Sequence, residues 1–269
     1  MSIVLEAREL TRTFRGAARP AVHEVSFTVA AGETLAVVGE SGSGKSTTAR
    51  MLVGLVKPDR GQVLLDGDDI ANLRGRALRS RRRDLQMVFQ DPLGSLNPAM
   101  TVGDSIAEPL RLHTDLDAAA RAERVAELLQ RVGLRPEHAG HPPTRFSGGQ
   151  RQRIAIARAI ACRPRALVCD EPVSALDVST QAQILDLLAE LRETTGFGCV
   201  FISHDLSVVR LIADRIGVMR RGELVEIGPA PQVYEDPRHD YTRALVAAVP
   251  SLRARRPLTT RPVTKEVDG

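Results

Sequence analysis

The sequence has few aromatic residues and no long apolar segment. Among its 269 residues there is no tryptophan, and aromatic residues make up 3% of the chain. Its apolar runs are far shorter than the roughly 18–20 residues with which a helix crosses a bilayer, and no basic flank followed by an apolar stretch opens the chain. We therefore expect a protein that neither spans a membrane nor is secreted.

Cysteine is also scarce. Cys162, Cys169 and Cys199 show no C-x-x-C spacing, and two of them lie in apolar, strand-like runs, where a thiol behaves as a small hydrophobic group. We expect reduced cysteines, a cytoplasmic setting and no metal site built from thiolates.

Positive charge comes almost entirely from arginine, which clusters between Arg74 and Arg83, and the net charge is +4. A basic cluster suggests nucleic-acid binding, but no aromatic residues that would stack on bases are interleaved with it. Surface arginines more often form a solvated helix face. We expect no nucleic-acid partner, and weak contact with anionic headgroups remains an alternative.

Hydrophobic periodicity predicts the order of the elements. Strands are predicted over 3–10, 22–29, 35–38, 61–67, 85–89, 166–169, 199–202 and 216–219. Helices are predicted over 45–57, from Thr101, over 117–132, from Ser147 to before Pro164, and over 178–192, 206–213 and 241–249. Antiparallel strands thus come first, helices occupy the middle, and β and α alternate from Ala166, as in a parallel sheet wrapped by helices.

A glycine-rich loop follows the third predicted strand. Gly39, Gly44, Lys45 and Ser46 have the spacing G-x-x-x-x-G-K-[ST], in which successive backbone N–H groups curl around phosphate oxygens at a helix N-terminus. Lys45 would reach the β- and γ-phosphates and Ser46 the Mg²⁺. The sequence therefore predicts a site for a nucleoside triphosphate.

Two carboxylates, Asp170 and Glu171, end the apolar strand that begins at Ala166. Ligands gather at this end of the strands in open α/β sheets. Because neighbouring residues point in different directions, one carboxylate could serve the Mg²⁺ while the other faces an attacking water. Alone this pair is a weak signal, but together with the phosphate loop it is a strong one.

A second phosphate-binding helix start is predicted at Ser147, which two glycines follow. Its free N–H groups and positive dipole end could hold another phosphate, although Ser147 could also be only an N-cap. One nucleotide seldom needs two such helix starts from one subunit. The pattern therefore suggests that Ser147 binds ATP held by a second subunit.

Across nearly its whole length the chain resembles the ATP-binding subunits of ABC transporters. The matching motifs are the P-loop Gly39, Glu40, Ser41, Gly42, Ser43, Gly44, Lys45, Ser46 and Thr47; the Q-loop Gln90; the signature Ser147, Gly148, Gly149 and Gln150; the Walker B Asp170 with Glu171; the D-loop ending at Asp177; and the switch His204. The resemblance implies a P-loop NTPase cassette with a RecA-like mixed sheet core, an N-terminal antiparallel β subdomain and an inserted helical subdomain.

The resemblance also implies roles for these residues. Ser46, Gln90 and Asp170 would hold Mg²⁺, Glu171 would be the general base, His204 would contact the γ-phosphate, and Gln90 would link the site to the membrane subunits. Adenine in this family stacks on an aromatic residue near the N-terminus. Phe27 points to the core by strand alternation, which leaves Phe14 for this role.

Several motifs resemble the oligopeptide, dipeptide and nickel importer subfamily. They are Phe146 before the signature, the stretch 90–98, the stretch 169–179 and the stretch 237–245. We expect a catalytic core over 1–90 and 164–228, a helical subdomain over 91–163, an extension of the subfamily type over 229–252 and a disordered tail over 253–269. Because no cysteine follows Cys199, no iron–sulfur centre is expected in the extension.

The implied protein uses ATP and Mg²⁺ at the cytoplasmic face of the cell membrane, as a peripheral subunit. Its implied partners are a similar second ATPase subunit in a heterodimer, two polytopic permease subunits and, indirectly, an extracytoplasmic solute-binding protein. It would power import of peptides or related small solutes, with nickel import as an alternative. A soluble ABC ATPase outside transport, or a subunit that binds nucleotide without hydrolysing it, are further alternatives.

Overall fold

The computed structural model describes residues 2–249, apart from the side chains of Pro92 and Leu93. The strands are β1 (Ile3–Arg12), β2 (Val22–Ala30), β3 (Thr34–Val38), β4 (Arg60–Leu65), β5 (Asp68–Asp69), β6 (Leu85–Val88), β7 (Ala166–Asp170), β8 (Gly198–Ser203), β9 (Arg215–Arg220) and β10 (Glu223–Pro229). The α-helices are α1 (Lys45–Leu52), α2 (Gly75–Arg82), α3 (Pro92–Ser95), α4 (Val102–His113), α5 (Ala118–Arg131), α6 (Gly148–Ile160), α7 (Val178–Thr195), α8 (Leu206–Val209), α9 (Ala230–Glu235) and α10 (Asp240–Ala247).

The strands form two sheets. One is antiparallel, with the order β2-β1-β4-β5, and the other has the order β10-β9-β3-β8-β7-β6. In the second sheet β9, β3, β8, β7 and β6 run parallel, and β10 is antiparallel to β9. The predicted α/β class with a mixed core sheet and an N-terminal antiparallel sheet is thereby confirmed.

The mixed sheet is buried on both faces. On β7, Leu167 and Cys169 belong to the core shared with the helices, whereas Ala166 and Val168 face the core shared with the antiparallel sheet. Because side chains alternate across a strand, a strand between two layers is apolar throughout, which explains the continuous apolar run before Asp170. Helix α1 lies in the core between the two sheets.

Several helix ends lie where capping residues predicted them. Thr101, Asp117 and Ser147 accept the backbone N–H of the residue three positions later and begin α4, α5 and α6. Gly133 and Gly196 adopt a positive φ of 74° immediately after α5 and α7, because glycine enters the left-handed region without a Cβ clash. Within residues 2–249 the structure contains no helix both long and apolar enough to pass through a bilayer.

Other predicted bounds are wrong. The helix from Lys45 ends at Leu52 rather than at Lys57, because Gly54 turns to a φ of 69° and the next two amides both bond to the carbonyl of Arg50. The helix from Leu206 ends at Val209 rather than at Ala213, since the chain must turn there for the amide of Asp214 to bond to Thr34. The predicted tail over 253–269 and the end of the predicted extension lie outside the described residues.

The sequence analysis missed β10 and α9, which join the core to α10. Glu226, buried in β10, breaks the apolar pattern of the strand. Its carboxylate accepts the backbone N–H of Arg238 at 2.9 Å and that of His239 at 3.0 Å. Burial would raise the pKa of Glu226, but these hydrogen bonds lower it overall. Glu226 therefore fixes the loop that leads into α10.

Replacing Glu226 with glutamine (E226Q) is expected to lower the free energy of unfolding by about 1–3 kcal/mol at neutral pH, because an amide cannot accept from both N–H groups. The folded-state pKa lies below the reference value of 4.5. The contribution is therefore present above that value and is lost as the pH falls through the folded-state pKa. Urea denaturation over a pH series measures it.

Glu223→Gln is the matched control, since Glu223 is exposed on the same strand. It should leave the free energy of unfolding nearly unchanged. An equal loss in both variants, or a difference between wild type and E226Q that does not shrink under acidic conditions, would contradict the role given to Glu226.

Candidate nucleotide site

The candidate site lies at the carboxyl ends of four neighbouring parallel strands. In the order β3, β8, β7 and β6 they end next to the phosphate loop, His204, the pair of carboxylates and Gln90 respectively. The carboxyl ends of parallel strands meet at the same edge of a sheet, which is where ligands bind in open α/β folds. Residues far apart in sequence are thereby brought into one cleft.

At two positions of the phosphate loop there is no room for a side chain. Gly39 has a φ of 149°, and a Cβ there would lie 2.1 Å from the carbonyl oxygen of Met219. Gly44 has a φ of 105°, and a Cβ there would lie 2.3 Å from the carbonyl oxygen of Ala21. Any larger residue would push the loop away from the strands that support it.

Lys45 lies inside the loop and is 4% exposed. Its Nζ donates to the carbonyl oxygens of Gly39 at 2.7 Å and Glu40 at 2.8 Å. Burial lowers the pKa of Lys45, while the carboxylates of Glu171 and Asp170 act in the opposite direction. The ammonium is thus already held at the place where phosphate charge would be received.

Asp170 and Ser46 meet across the floor of the cleft. The Ser46 Oγ donates to Oδ1 of Asp170 at 2.9 Å. Burial raises the pKa of Asp170, against the hydrogen bond from Ser46 and the positive charge of Arg50. A hydroxyl and a carboxylate oxygen are donors that suit Mg²⁺, so the residues present fit the predicted metal.

Glu171 lies at the centre of the remaining polar groups. The Gln90 Nε2 donates to its Oε2 at 3.1 Å, and the His204 Nδ1 lies 3.2 Å from the same oxygen. The backbone of Glu171 has a positive φ of 46°, which is unusual for a residue with a side chain and costs about 1–3 kcal/mol. Gln90 and His204 therefore both contact the predicted general base.

The cleft has a volume of about 630 Å³. Its walls are formed by Ala21, Gly39, Glu40, Ser41, Gly42, Gly44, Lys45, Ser46, Thr47, Gln90, Glu171, His204 and Leu245. Ser43, which also belongs to the loop, is buried and does not line the cleft. The sequence analysis missed Ala21 and Leu245; the amphipathic pattern of 241–249 indicated only that this helix packs against something.

Phe14 is not among the residues that line the cleft. It is 42% exposed, and the Arg12 guanidinium lies over its ring, 5.2 Å from the centroid. Its stacking on adenine stays a prediction.

The residues of the predicted signature lie elsewhere on the surface. Ser147 is exposed, caps α6 and exchanges hydrogen bonds with Gln150. A Cβ on Gly148 would lie 3.4 Å from Leu176, and one on Gly149 would lie 2.4 Å from Thr180. The start of α6 thus packs on the start of α7, where Asp177 is the N-cap.

Asp177 accepts hydrogen bonds from Ser179 and Thr180, which lower its pKa. Neither Asp177 nor any of the signature residues lines the cleft that contains Lys45.

Comparison with protein families gives two matches. The ABC transporter family model matches residues 22–174. A model described as the C-terminal region of oligopeptide/dipeptide transporters matches residues 225–267, of which the structure describes those up to 249.

Curated relatives include the glutathione import ATP-binding proteins GsiA of Escherichia coli K12 and of Pectobacterium atrosepticum. Each is 54% identical to this chain over 230 residues, which cover 86% of the chain and 37% of the relative. The chain therefore spans little more than a third of the length of these relatives.

Similar solved structures include a dimeric, post-hydrolysis state of the ATP-binding cassette MJ0796 bound to ADP and Pi. It has a TM-score of 0.76 and 32% identity, with 84% of this chain and 98% of that chain covered. Another is cbiO1 from Clostridium perfringens, with a TM-score of 0.78 and 28% identity, covering 88% and 92%.

The fold and the cleft define a P-loop nucleoside triphosphatase, in which a buried lysine and two strand-end carboxylates face a glycine-rich loop. The matching family model covers more than half of the chain. The protein belongs to the ABC transporter family, and its C-terminal part is of the oligopeptide/dipeptide transporter type. The predicted fold and family are thereby confirmed.

Replacing Lys45 with alanine (K45A) is expected to raise the Kd for ATP at least about tenfold, because charge-assisted hydrogen bonds contribute roughly 1.5–3 kcal/mol. Titration with a fluorescent ATP analogue in the presence of Mg²⁺ measures the effect. Lys57→Ala is the control, since Lys57 is exposed and outside the cleft. Equal binding by wild type and K45A would show that the cleft is not the nucleotide site.

Proposed function

We propose that this chain is the ATP-hydrolysing subunit of an importer of peptides or related small solutes. The observation that carries the proposal is the contact of Gln90 and His204 with Glu171 beside the P-loop. The similarity to glutathione import ATP-binding proteins and the C-terminal match to oligopeptide/dipeptide transporters support the class of solute. Nickel import remains the alternative within the same subfamily.

The proposed chemistry divides the work among the residues of the cleft. The loop N–H groups and Lys45 bind the β- and γ-phosphates, and Glu171 accepts a proton from the attacking water. Mg²⁺, held by Ser46, Asp170 and Gln90, would neutralise charge that develops on the phosphate oxygens. His204 orients Glu171 from one side and contacts the γ-phosphate from the other, because its ring lies at the mouth of the same cleft.

We propose that a second, similar subunit completes each ATP site. The signature, Ser147 to Gln150, does not line this chain's own cleft, and its first two residues are exposed. The N–H groups of Gly148 and Gly149 at this helix start would be available to a nucleotide on a partner. Asp177 lies next to it at the start of α7. A head-to-tail dimer would bring each signature to the other subunit's P-loop. The solved structure of MJ0796 is described as dimeric, which supports a dimer.

We further propose that membrane subunits dock in a groove beside Gln90. The groove is lined by α4, β6 and the segment after α1, and includes Leu55, Phe89 and Leu112. Leu55 is 53% exposed and Leu112 is 60% exposed, which favours cover by an apolar partner element. This docking would place the chain at the cytoplasmic face of the membrane as a peripheral subunit. Its direct partners there would be two permease subunits, through which it would be linked to a solute-binding protein.

We also propose a role for each segment of the chain. The core over 1–90 and 164–228 would bind and hydrolyse ATP, the helical part over 91–163 would present the signature, and the extension over 229–252 would belong to the subfamily.

Glu171→Gln (E171Q) is expected to lower steady-state ATP hydrolysis about 10²–10⁴-fold while ATP still binds, because an amide cannot act as the general base. The assay uses the chain with its natural partner subunits, phosphate release and nucleotide titration. Glu193→Gln, at an exposed glutamate of α7, is the control and should keep the wild-type rate. An unchanged rate in E171Q would remove Glu171 from this role.

Leu112→Asp is expected to reduce co-purification with the membrane subunits at least about tenfold, since docking would then bury an unpaired charge. Leu211→Asp introduces the same charge at a leucine that is 69% exposed and lies outside the groove. Pull-down from native membranes compares the two. If both variants retain the membrane subunits equally, the groove is not the docking site.

A further inference from the structure

The C-terminal helix α10 contacts the phosphate loop directly. The backbone N–H of Glu40, the second residue of the loop, donates to the Tyr241 hydroxyl at 3.2 Å. One helical turn later, on the same face of α10, Leu245 forms part of the cleft wall. The helix therefore touches the nucleotide site at two positions.

The Tyr241 hydroxyl completes the anchoring of one short piece of backbone. Lys45 Nζ holds the carbonyl oxygens of Gly39 and Glu40, and Tyr241 accepts the N–H of Glu40. Without this acceptor the N–H of Glu40 would lose the partner that the structure gives it. The carbonyl oxygen of Glu40 would still accept from Lys45 and from the N–H of Ser43. When a nucleotide binds, Lys45 must also bind its phosphates. The hydrogen bond between Tyr241 and Glu40 does not compete with ATP in this way.

Tyr241 is itself held in place. Its side chain is only 8% exposed, and the Arg220 guanidinium lies over its ring at 4.7 Å. The His239 Nδ1 caps α10 by accepting the N–H of Tyr241. Glu226 binds the loop before the helix. A hydroxyl on so constrained a side chain can fix the position of the backbone that it contacts.

We propose that Tyr241 is a positioning residue for the phosphate loop and that Leu245 is a wall of the nucleotide site, so that the C-terminal extension completes ATP binding within one chain. The inference rests on the proposed use of the cleft for ATP. Since binding free energies are reciprocal, ATP in the cleft also stabilises the packing of α10 against the loop.

Tyr241→Phe removes the hydroxyl and keeps the ring beneath Arg220. We expect the full-length chain carrying it to bind ATP with a Kd about three- to tenfold higher, which is the effect of one hydrogen bond. Titration with ATP and Mg²⁺, alongside thermal unfolding without nucleotide, separates loss of affinity from loss of stability.

Tyr234→Phe is the matched control. Tyr234 lies in α9 of the same extension, and its hydroxyl is also hydrogen-bonded to the backbone, here as the donor to the carbonyl oxygen of Leu206 at 2.6 Å. It should lower the melting temperature but leave the Kd within about twofold of wild type, because this bond does not touch the P-loop. An unchanged Kd in Y241F, or an equal rise in Y234F, would overturn the proposal.

A second pair tests the wall of the site. Leu245 and Val246 are both half-buried against the same core, but only Leu245 lines the cleft. Leu245→Ala should weaken ATP binding several-fold and Val246→Ala should not. Equal effects would overturn the proposal even if the tyrosine variants fail to fold.

Hydrogen exchange gives an independent readout. ATP should increase protection of the amides of Asp240–Ala247 in the wild-type chain, and this increase should be smaller in Y241F. If ATP binds without changing protection there, the inference fails while the proposed function stands. If the wild-type chain does not bind ATP at all, the proposed function itself fails.

Discussion

The common direction of four neighbouring strands is the constraint on which the site depends. Because β3, β8, β7 and β6 are parallel, their carboxyl ends lie at one edge of the sheet. At that edge the phosphate loop, Gln90, Glu171 and His204 line one cleft. Asp170 is hydrogen-bonded to Ser46 of the loop. Reversal of any one strand would carry its functional group to the opposite edge, so the topology is as necessary to the chemistry as the side chains.

The chain contains a second glycine-rich helix start besides the one in the phosphate loop. Helix α1 begins inside the cleft, whereas α6 begins at an exposed ridge shared with α7. Ser147 caps this start of α6 and is itself exposed, while Gly148 and Gly149 pack against Leu176 and Thr180. The exposure of Ser147 at this helix start supports the proposed second subunit, which would make dimer formation part of the chemistry.

Much of this could be read from the sequence, since glycine spacing, capping residues and apolar strands act locally. The helix starts at Thr101, Asp117 and Ser147 and the carboxylates at the end of β7 all lie where predicted. The rest depends on contacts between distant segments. Strand β10 was not predicted because the buried Glu226 interrupts its apolar pattern. The backbone N–H groups that bond to Glu226 lie twelve and thirteen residues later in the chain. Leu245 has no local mark of a cleft residue, since only folding brings α10 to the P-loop.

The backbone of Glu171 adopts a left-handed conformation, which is unfavourable for a residue with a side chain. Glycine would relieve that conformation, as it does at Gly133 and Gly196, yet a charged side chain occupies the position and is surrounded by Gln90 and His204. Sequences selected for thermal robustness alone would drift toward a residue without a Cβ here. A glycine at this turn would therefore relieve the backbone but remove the proposed general base, so a search for more stable variants should keep Glu171.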